Sequence, residues 1–293
     1  VDAGLKYPED DMFGIDIVIP DITYLLENSH RVKGIIASHG HDDHIGAIPY
    51  LLRRINVPVY GTKLTLALID EKCKEINLQF KPTFKEVDTT SHVTIGRVKV
   101  SFFRTTHNIP DSTGVIIHTS QGAIVYTGDF KFDQNPVDGK LMEINKLTDI
   151  AKEGVLCLLS ESTNAEQPGY TPSESVVGEG LMKAFYGFPG RIIIATVPSN
   201  LHRIQQIIRA AESLQRKIVI VSKRMEKAIR IGKRLGYLTD ENETIVTGAK
   251  KNQLKDENTV ILTSGFQEEQ MTSFVKIARG IHPQIKLTEN DCV

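Results

Sequence analysis

Six residues, His39-Gly40-His41-Asp42-Asp43-His44, follow the apolar stretch Lys33-Gly34-Ile35-Ile36-Ala37-Ser38. Three imidazoles and an acceptor carboxylate therefore fall where a buried strand gives out into a loop. Imidazole suits zinc and similar divalent ions, and carboxylate completes such a site with a hard, charged ligand. On a tight loop His39 and His41 reach one ion while Asp43 and His44 turn to a second. The H-x-H-x-D-H spacing signals a two-metal hydrolase site. A solvated polar loop is the alternative, but four potential ligands with no aliphatic side chain before Ile45 favour metal.

A site of this kind needs a rigid scaffold, and the chain is long enough to build one. Its 293 residues allow two domains, taking roughly 150 residues for each. Apolar residues at 40% and charged residues at 24% are those of a water-soluble globular chain. No apolar run approaches the ~20 residues that cross a bilayer, and no signal-peptide pattern opens the chain. Cys73, Cys157 and Cys292 are too widely spaced for a disulfide framework or a C-x-x-C zinc site. A reducing cytoplasm is the expected location. The start at Val1-Asp2-Ala3-Gly4 and the stop at Asp291-Cys292-Val293 read as those of a fragment.

Net charge is near zero, but it is unevenly spread. Residues 181–239 hold twelve Lys and Arg against Glu212 and Glu226 alone, a local excess of ten. A clustered patch can bind a polyanion even when the whole chain is neutral. The bland alternative is a set of solvated helix faces.

Hydrophobic patterning predicts α/β organisation. In the first half, Ile15–Ile19, Ile35–Ala37, Val57–Tyr60, Val98–Phe103, Thr113–His118, Ala123–Thr127 and Val155–Leu159 read as strands or extended segments. Helices are expected over Ile45–Ile55 and Lys63–Asn77. The turn-rich Asn164–Ser173 marks a junction, giving domains over 1–170 and 171–293. Beyond it, strands Arg191–Thr196, Lys217–Val221 and Val260–Thr263 alternate with helices Leu201–Leu214 and Met225–Leu235. That alternation fits a parallel sheet flanked by helices.

One loop does not complete a two-ion site. His107 sits just past a strand, and Asp129 ends another in Tyr126-Thr127-Gly128-Asp129. Ligands delivered from successive strand ends onto one sheet edge make a rigid site. Alone, either would read as an ordinary loop residue or cap. Together with the histidine cluster both become ligands, with Asp129 the bridging carboxylate.

These residues resemble the metallo-β-lactamase superfamily, and the resemblance sharpens to the ribonuclease J family of its β-CASP group. It runs through Asp2-Ala3-Gly4, Gly14–Asp21, the metal loop, Val57–Thr65, Phe102–Ser112 and Thr127–Asp133, then Ser162–Glu166, Pro168–Glu174 and Ser199–Gln206. The resemblance implies an incomplete αββα metallo-β-lactamase fold with an inserted β-CASP domain of parallel βα type. It implies a 5′-to-3′ exoribonuclease, also capable of endonucleolytic cuts, in bacterial RNA maturation and decay. Two divalent ions are implied, zinc or alternatively manganese. His39, His41 and His107 would hold one, Asp43 and His44 the other, and Asp129 both. Asp43 and Asp129 would stand closest to the chemistry. Asp2 would support the loop, and Glu161 would lie behind the site. Ser199 and Asn200 match a loop that lies against the RNA 5′ phosphate. Single-stranded RNA, preferably 5′-monophosphorylated, is the implied partner, bound by a homo-oligomer or a hetero-oligomer with a paralogue.

Two metal ions ~3.5–4 Å apart activate water and stabilise both oxygens of an in-line displacement, so no protein nucleophile is required. No G-x-S-x-G, Walker loop or G-x-G-x-x-G competes with this reading. The family's later half, with a further histidine ligand and a phosphate loop, has no counterpart in these residues. The piece alone is therefore expected to be poorly active. Gly265–Met271 also departs from the family pattern. The rivals are a small-substrate hydrolase of the same fold, and a weakly active paralogue that binds RNA or scaffolds a partner. The basic second domain argues against the first rival. The intact ligand set argues against complete loss of activity, while the altered Gly265–Met271 stretch keeps the second rival open.

Overall fold

Ile35 and Ile36 feed different cores, and that alternation organises the first part of the molecule. The computed structural model describes residues 1–9, 11–246, 255–265 and 273–293. It divides into one unit of Val1–Pro8 with Gly14–Ser173, and a second of Glu9–Phe13 with Glu174–Val293. The division at Ser173/Glu174 lies three residues beyond the expected 170/171.

In the first unit, β1 (Ile35–Ile36), β2 (Val59–Gly61) and β3 (Phe84–Glu86) form a parallel sheet. Helices α1 (Thr23–Glu27), α2 (Asp42–Ile45), α3 (Ile48–Arg54) and α4 (Lys63–Glu75) accompany it. Strands β4 (His92–Ile95), β5 (Val98–Arg104), β6 (Thr113–Thr119) and β7 (Gly122–Tyr126) are mutually antiparallel. After α5 (Ile144–Glu153), β8 (Val155–Leu159) joins β7 in parallel.

Three buried clusters define the layers. Ile35, Ile48, Leu52 and Ile69 pack the helices onto one side of the first sheet. Ile36 with Val100, Phe102 and Val115 fills the space between the sheets. Phe103 and Ile116, the next residues along β5 and β6, face the other way and pack with Ile150 of α5. The order is helix, sheet, sheet, helix. Strand β8 is the sheet's edge and leaves Leu156 and Leu158 exposed.

The expected helix over Ile45–Ile55 is two helices. Pro49 sits in the first turn of α3, where its missing N–H is harmless, and cannot donate back to Ile45. The turn before it, α2, takes in Asp42 to Ile45, so half of the expected loop is helical. Ile15–Ile19 contributes only the bridge between Lys6 and Val18.

The second unit contains α6 (Ser175–Phe185), β9 (Ile192–Thr196), α7 (Leu201–Ser213), β10 (Lys217–Ile220), α8 (Lys223–Leu235), β11 (Ile245–Val246), β12 (Thr259–Ser264) and α9 (Ser273–Ala278). Its sheet is parallel, in the order β11-β10-β12-β9. Asn200 and Ser222 cap α7 and α8 through their side chains, and Gly236 ends α8 in the left-handed conformation. Ile193, Ile261 and Ile277 share a buried cluster. Most of the divergent stretch, residues 266–271, lies outside the described residues.

Candidate metal centre

Strands β5 and β7 run in the same direction, since each is antiparallel to β6, and β8 is parallel to β7. Their ends therefore release His107, Asp129 and Glu161 at one edge of the sheet. Strand β1 delivers the histidine segment to the same place. The N–H of Thr113 donates to the Ser38 carbonyl at 3.0 Å, joining the two sheets there.

The structure brings His39, His41, His107 and Asp129 into one group, and Asp43, His44 and Asp129 into another, with donor atoms in each within 4.8 Å of one another. His41 Nδ1 lies 3.1 Å from both His39 Nε2 and His107 Nε2. Asp129 Oδ2 is 3.9 Å from His39 Nε2 and 3.7 Å from His107 Nε2. Its other oxygen, Oδ1, is 3.1 Å from His44 Nε2, and Asp43 Oδ2 is 3.8 Å from that same nitrogen. One carboxylate thus faces both groups, one oxygen to each. The positive φ of Gly128 turns the chain just before Asp129, with Ser38 packed against it.

This donor set fits metal. Burial lowers His39, takes His41 to about 3 with help from His107 and His44, and takes His107 to about 4 against the pull of Asp129 and Glu161. All three are neutral, with ring lone pairs available for coordination. Tetrahedral zinc with bonds of ~2.0–2.1 Å sets its ligand atoms ~3.4 Å apart. The four distances within the first group, 3.1 to 3.9 Å, bracket that value. Neutral nitrogens gathered this closely want a cation among them. Three nitrogens and a carboxylate suit zinc or a similar ion.

Asp2 organises the cluster from behind. Its Oδ2 accepts from Ser38 Oγ at 2.7 Å, Tyr126 OH at 2.8 Å and His44 Nδ1 at 2.8 Å, and its Oδ1 accepts from the Ser38 N–H at 2.8 Å. Taking the Nδ1 proton of His44 leaves Nε2 to face Asp129 and Asp43. Burial opposes charge on His44, but Asp129 and Asp2 outweigh it and raise the metal-free group to about 10. Ser38 Oγ also lies 3.0 Å from His39 Nδ1. With its own proton given to Asp2, it accepts from Nδ1 and so frees His39 Nε2.

Asp42, between the candidate ligands in sequence, turns away to Lys72 and Tyr7. Glu161 accepts from the N–H of Phe130 and of Thr163, and so fixes the chain beside Asp129. Sequence reading missed Ser38, Tyr126 and Gly4. Backbone bonds Ala3 N to His44 O and Leu5 N to Asp42 O strap the opening segment to α2. A Cβ on Gly4 would stand 1.6 Å from the Asp43 carbonyl oxygen. Only the Asp-Ala-Gly match hinted at this contact, because closeness across forty residues has no local signature.

In the second unit, Asn200 is buried and spends its side-chain oxygen on the N–H of Arg203. Ser199 precedes it at the carboxyl end of β9. Among the described residues, at least five of the twelve basic residues are committed to structure. Arg191 pairs with Asp291, Arg203 with Glu174 and Lys233 with Asp240; Arg216 donates to the carbonyls of Gly190 and Phe188, and Lys217 to those of Asn242 and Glu243. The excess of ten over residues 181–239 is thus partly balanced by Glu174, Asp240 and Asp291, which lie outside that window.

Residues 1–167 match the sequence model of the metallo-beta-lactamase superfamily. The chain belongs to that superfamily. Residues 189–293 match the model described as ribonuclease J, beta-CASP domain. Ribonuclease J2 of Bacillus subtilis is 45% identical over 293 residues, all of this chain and 53% of that protein. Ribonuclease J 1 of Streptococcus pyogenes is also 45% identical, over all of this chain and 52% of that protein. Ribonuclease J 2 of Staphylococcus aureus is 41% identical over the same span and 53% of its own length. The chain thus spans about half the length of these curated relatives. A solved protein of unknown function from Enterococcus faecalis shares the fold, with a TM-score of 0.56 and 17% identity over 79% of this chain and 58% of its own. Among the described residues, no helix is long and apolar enough to cross a membrane.

Proposed function

We propose that this chain carries the metal-binding half of a two-metal ribonuclease, a 5′-to-3′ exonuclease that also cuts internally, in RNA decay and maturation. Its substrate is single-stranded RNA, preferably with a 5′ monophosphate, met in the cytoplasm by a homo-oligomer or by a complex with a paralogous subunit. The observation that carries the reading is Asp129, whose two oxygens face two separate donor groups.

His39, His41, His107 and Asp129 would hold one divalent ion, and Asp43, His44 and Asp129 the other, with zinc best matched to the imidazole-rich set. When bound, the pair supplies Lewis acidity at a phosphate and activation of water. The chain's own residues do the positioning. Asp2 holds the Nδ1 proton of His44, Ser38 does the same for His39, and burial keeps three imidazoles neutral. Glu161 keeps the segment after Asp129 in place. Asn200 and Ser199, at the start of α7, offer amide and hydroxyl groups where a helix N-terminus favours a phosphate.

The test uses the full-length protein containing these residues and RNA with a 5′ monophosphate, triphosphate or hydroxyl, with and without chelator. Stepwise release of mononucleotides from the monophosphorylated 5′ end, abolished by chelator and restored by zinc or manganese, is expected. Hydrolysis of small esters without cleavage of RNA would overturn the ribonuclease reading. Chelator-sensitive RNA binding without cleavage would support the scaffold reading instead.

A further inference from the structure

The second unit holds a crevice of about 570 Å³ among the ends of β10 and β12 and the starts of α8 and α9. Its place follows from topology. From β10 the chain passes through α8 to β11, on one side of β10 in the sheet. From β12, which adjoins β10 on the other side, it passes through α9 to Cys292, whose bridge to Ile192 lies beyond β9. Both crossovers join parallel segments and run in opposite directions. Right-handed connection therefore sends α8 and α9 to opposite faces of the sheet. The packing agrees: α8 lies against α7, with Gly232 close to Leu201, while Ile277 of α9 packs with Ile193 and Ile261. A gap opens where neighbouring strands send their helices opposite ways. Open α/β sheets bind ligands in that crevice, at the carboxyl ends of the strands.

Among the described lining residues, one sign of charge is in excess. Lys223, Arg224 and Lys276 line it, with Glu226 the opposing carboxylate. Lys223 and Lys276 have no carboxylate partner among the described residues. The thirteen-residue α8 opens into the crevice behind its Ser222 cap, so its first-turn N–H groups add a positive partial charge. A separate observation points to a ligand. Ser264, only 5% exposed, lines the crevice, and its hydroxyl has no hydrogen-bond partner among the described residues. His282 is committed elsewhere, its Nδ1 accepting from the N–H groups of Gln284 and Ile285.

We infer that this crevice is a phosphate-binding site of the second unit, separate in composition from the metal cluster and from the Ser199-Asn200 loop. The hydroxyl of Ser264 and the start of α8 donate to the phosphoryl oxygens, and Lys223 and Lys276 balance its charge. Glu226 weakens the site. The phosphoryl group could come from an RNA strand or from a free nucleotide.

The 293-residue chain, stripped of metal by chelator to silence the metal cluster, is titrated with inorganic phosphate while its amide resonances are recorded. Saturable shifts at Ser222, Lys223 and Ser264 are expected. Lys223→Ala and Lys276→Ala should each weaken phosphate about tenfold, the scale of one charge-assisted hydrogen bond. Glu226→Gln should tighten it, and that variant guards against loss through misfolding. Oligouridylate that competes with phosphate marks an RNA strand as the source; uridine monophosphate competing where oligouridylate does not marks a free nucleotide. No saturable shift, or an affinity unchanged in all three variants, would overturn the site.

Discussion

Gly4→Ala should empty one half of the metal centre and spare the other. The added Cβ would stand 1.6 Å from the Asp43 carbonyl oxygen and 2.1 Å from its carbon. An ordinary carbon–oxygen contact needs ~3.3 Å, so the two segments must part by about 1.7 Å. Neither can yield easily, because Ala3 and Leu5 are both hydrogen-bonded to α2. Metal ligands keep their distances within about 0.2 Å, so even a fraction of that movement spoils the geometry. The displaced turn carries Asp43 and His44, whereas His39, His41 and His107 come from before it or from another strand. The second ion should therefore weaken by at least the ~10–100-fold seen on disturbing ligand supports, while the first is largely kept. Equilibrium dialysis against zinc, with metal counted by mass spectrometry, should fall from two ions per chain to one. Gly180→Ala is the control: nothing lies within 4 Å of its Cβ, and its place inside α6 should make alanine stabilising by ~0.5–1 kcal/mol. Two ions held at unchanged affinity in Gly4→Ala would refute the argument.

Removing ligands directly should be cruder. His41→Ala should lose the first ion and Asp43→Ala the second, each abolishing RNA hydrolysis in the full-length protein; intact metal stoichiometry in both would sink the ligand assignment. In metal-free protein, His41 and His107 bind protons more weakly than the unfolded chain does. Stability should therefore decline as pH falls from about 6.5 toward 4. His44 acts in the opposite sense: its contribution is full below about 6.5 and is lost as pH rises toward 10. Thermal melts of wild-type protein and of His41→Asn across that range test this, since the variant should lose less stability on the acid side. Arg203→Ala should destabilise the second unit by about 3 kcal/mol, the low end for a buried pair. Glu174 is left enclosed, while Arg203 keeps a third of its side chain in solvent. The same variant should leave the salt dependence of RNA binding unchanged; a flatter slope would return Arg203 to the RNA-contacting set.

The histidine cluster, the late-joining His107 and Asp129, and the parallel βα second unit were legible along the chain. Each is written in local pattern: H-x-H-x-D-H spacing, strand ends followed by polar residues, apolar runs alternating with amphipathic helices. The helical turn at Asp42–Ile45 was less so, because ligands crowded into six residues look like a loop whatever their backbone does. The short strands β3 and β4 and helices α5 and α6 also escaped, although Ile144, Leu147, Ile150 and Ala151 place apolar residues of α5 at helical spacing. The basic stretch misled in part, since Arg203 and Arg191 find their carboxylates at Glu174 and Asp291, far off in sequence.

What local pattern determines here is which residues bear lone pairs and which runs bury. What folding adds is who meets whom. Asp2 takes the proton of His44 across forty-two residues, Tyr126 joins it from β7, and Gly4 lies against the Asp43 carbonyl. Those contacts carry the orientation of the metal centre. They exist only because two sheets close on Ile36, Phe102 and Val115 and bring four chain segments to one edge. Burial does the rest: the same imidazoles that would titrate near neutrality in an open chain are held neutral inside it, ready for a cation.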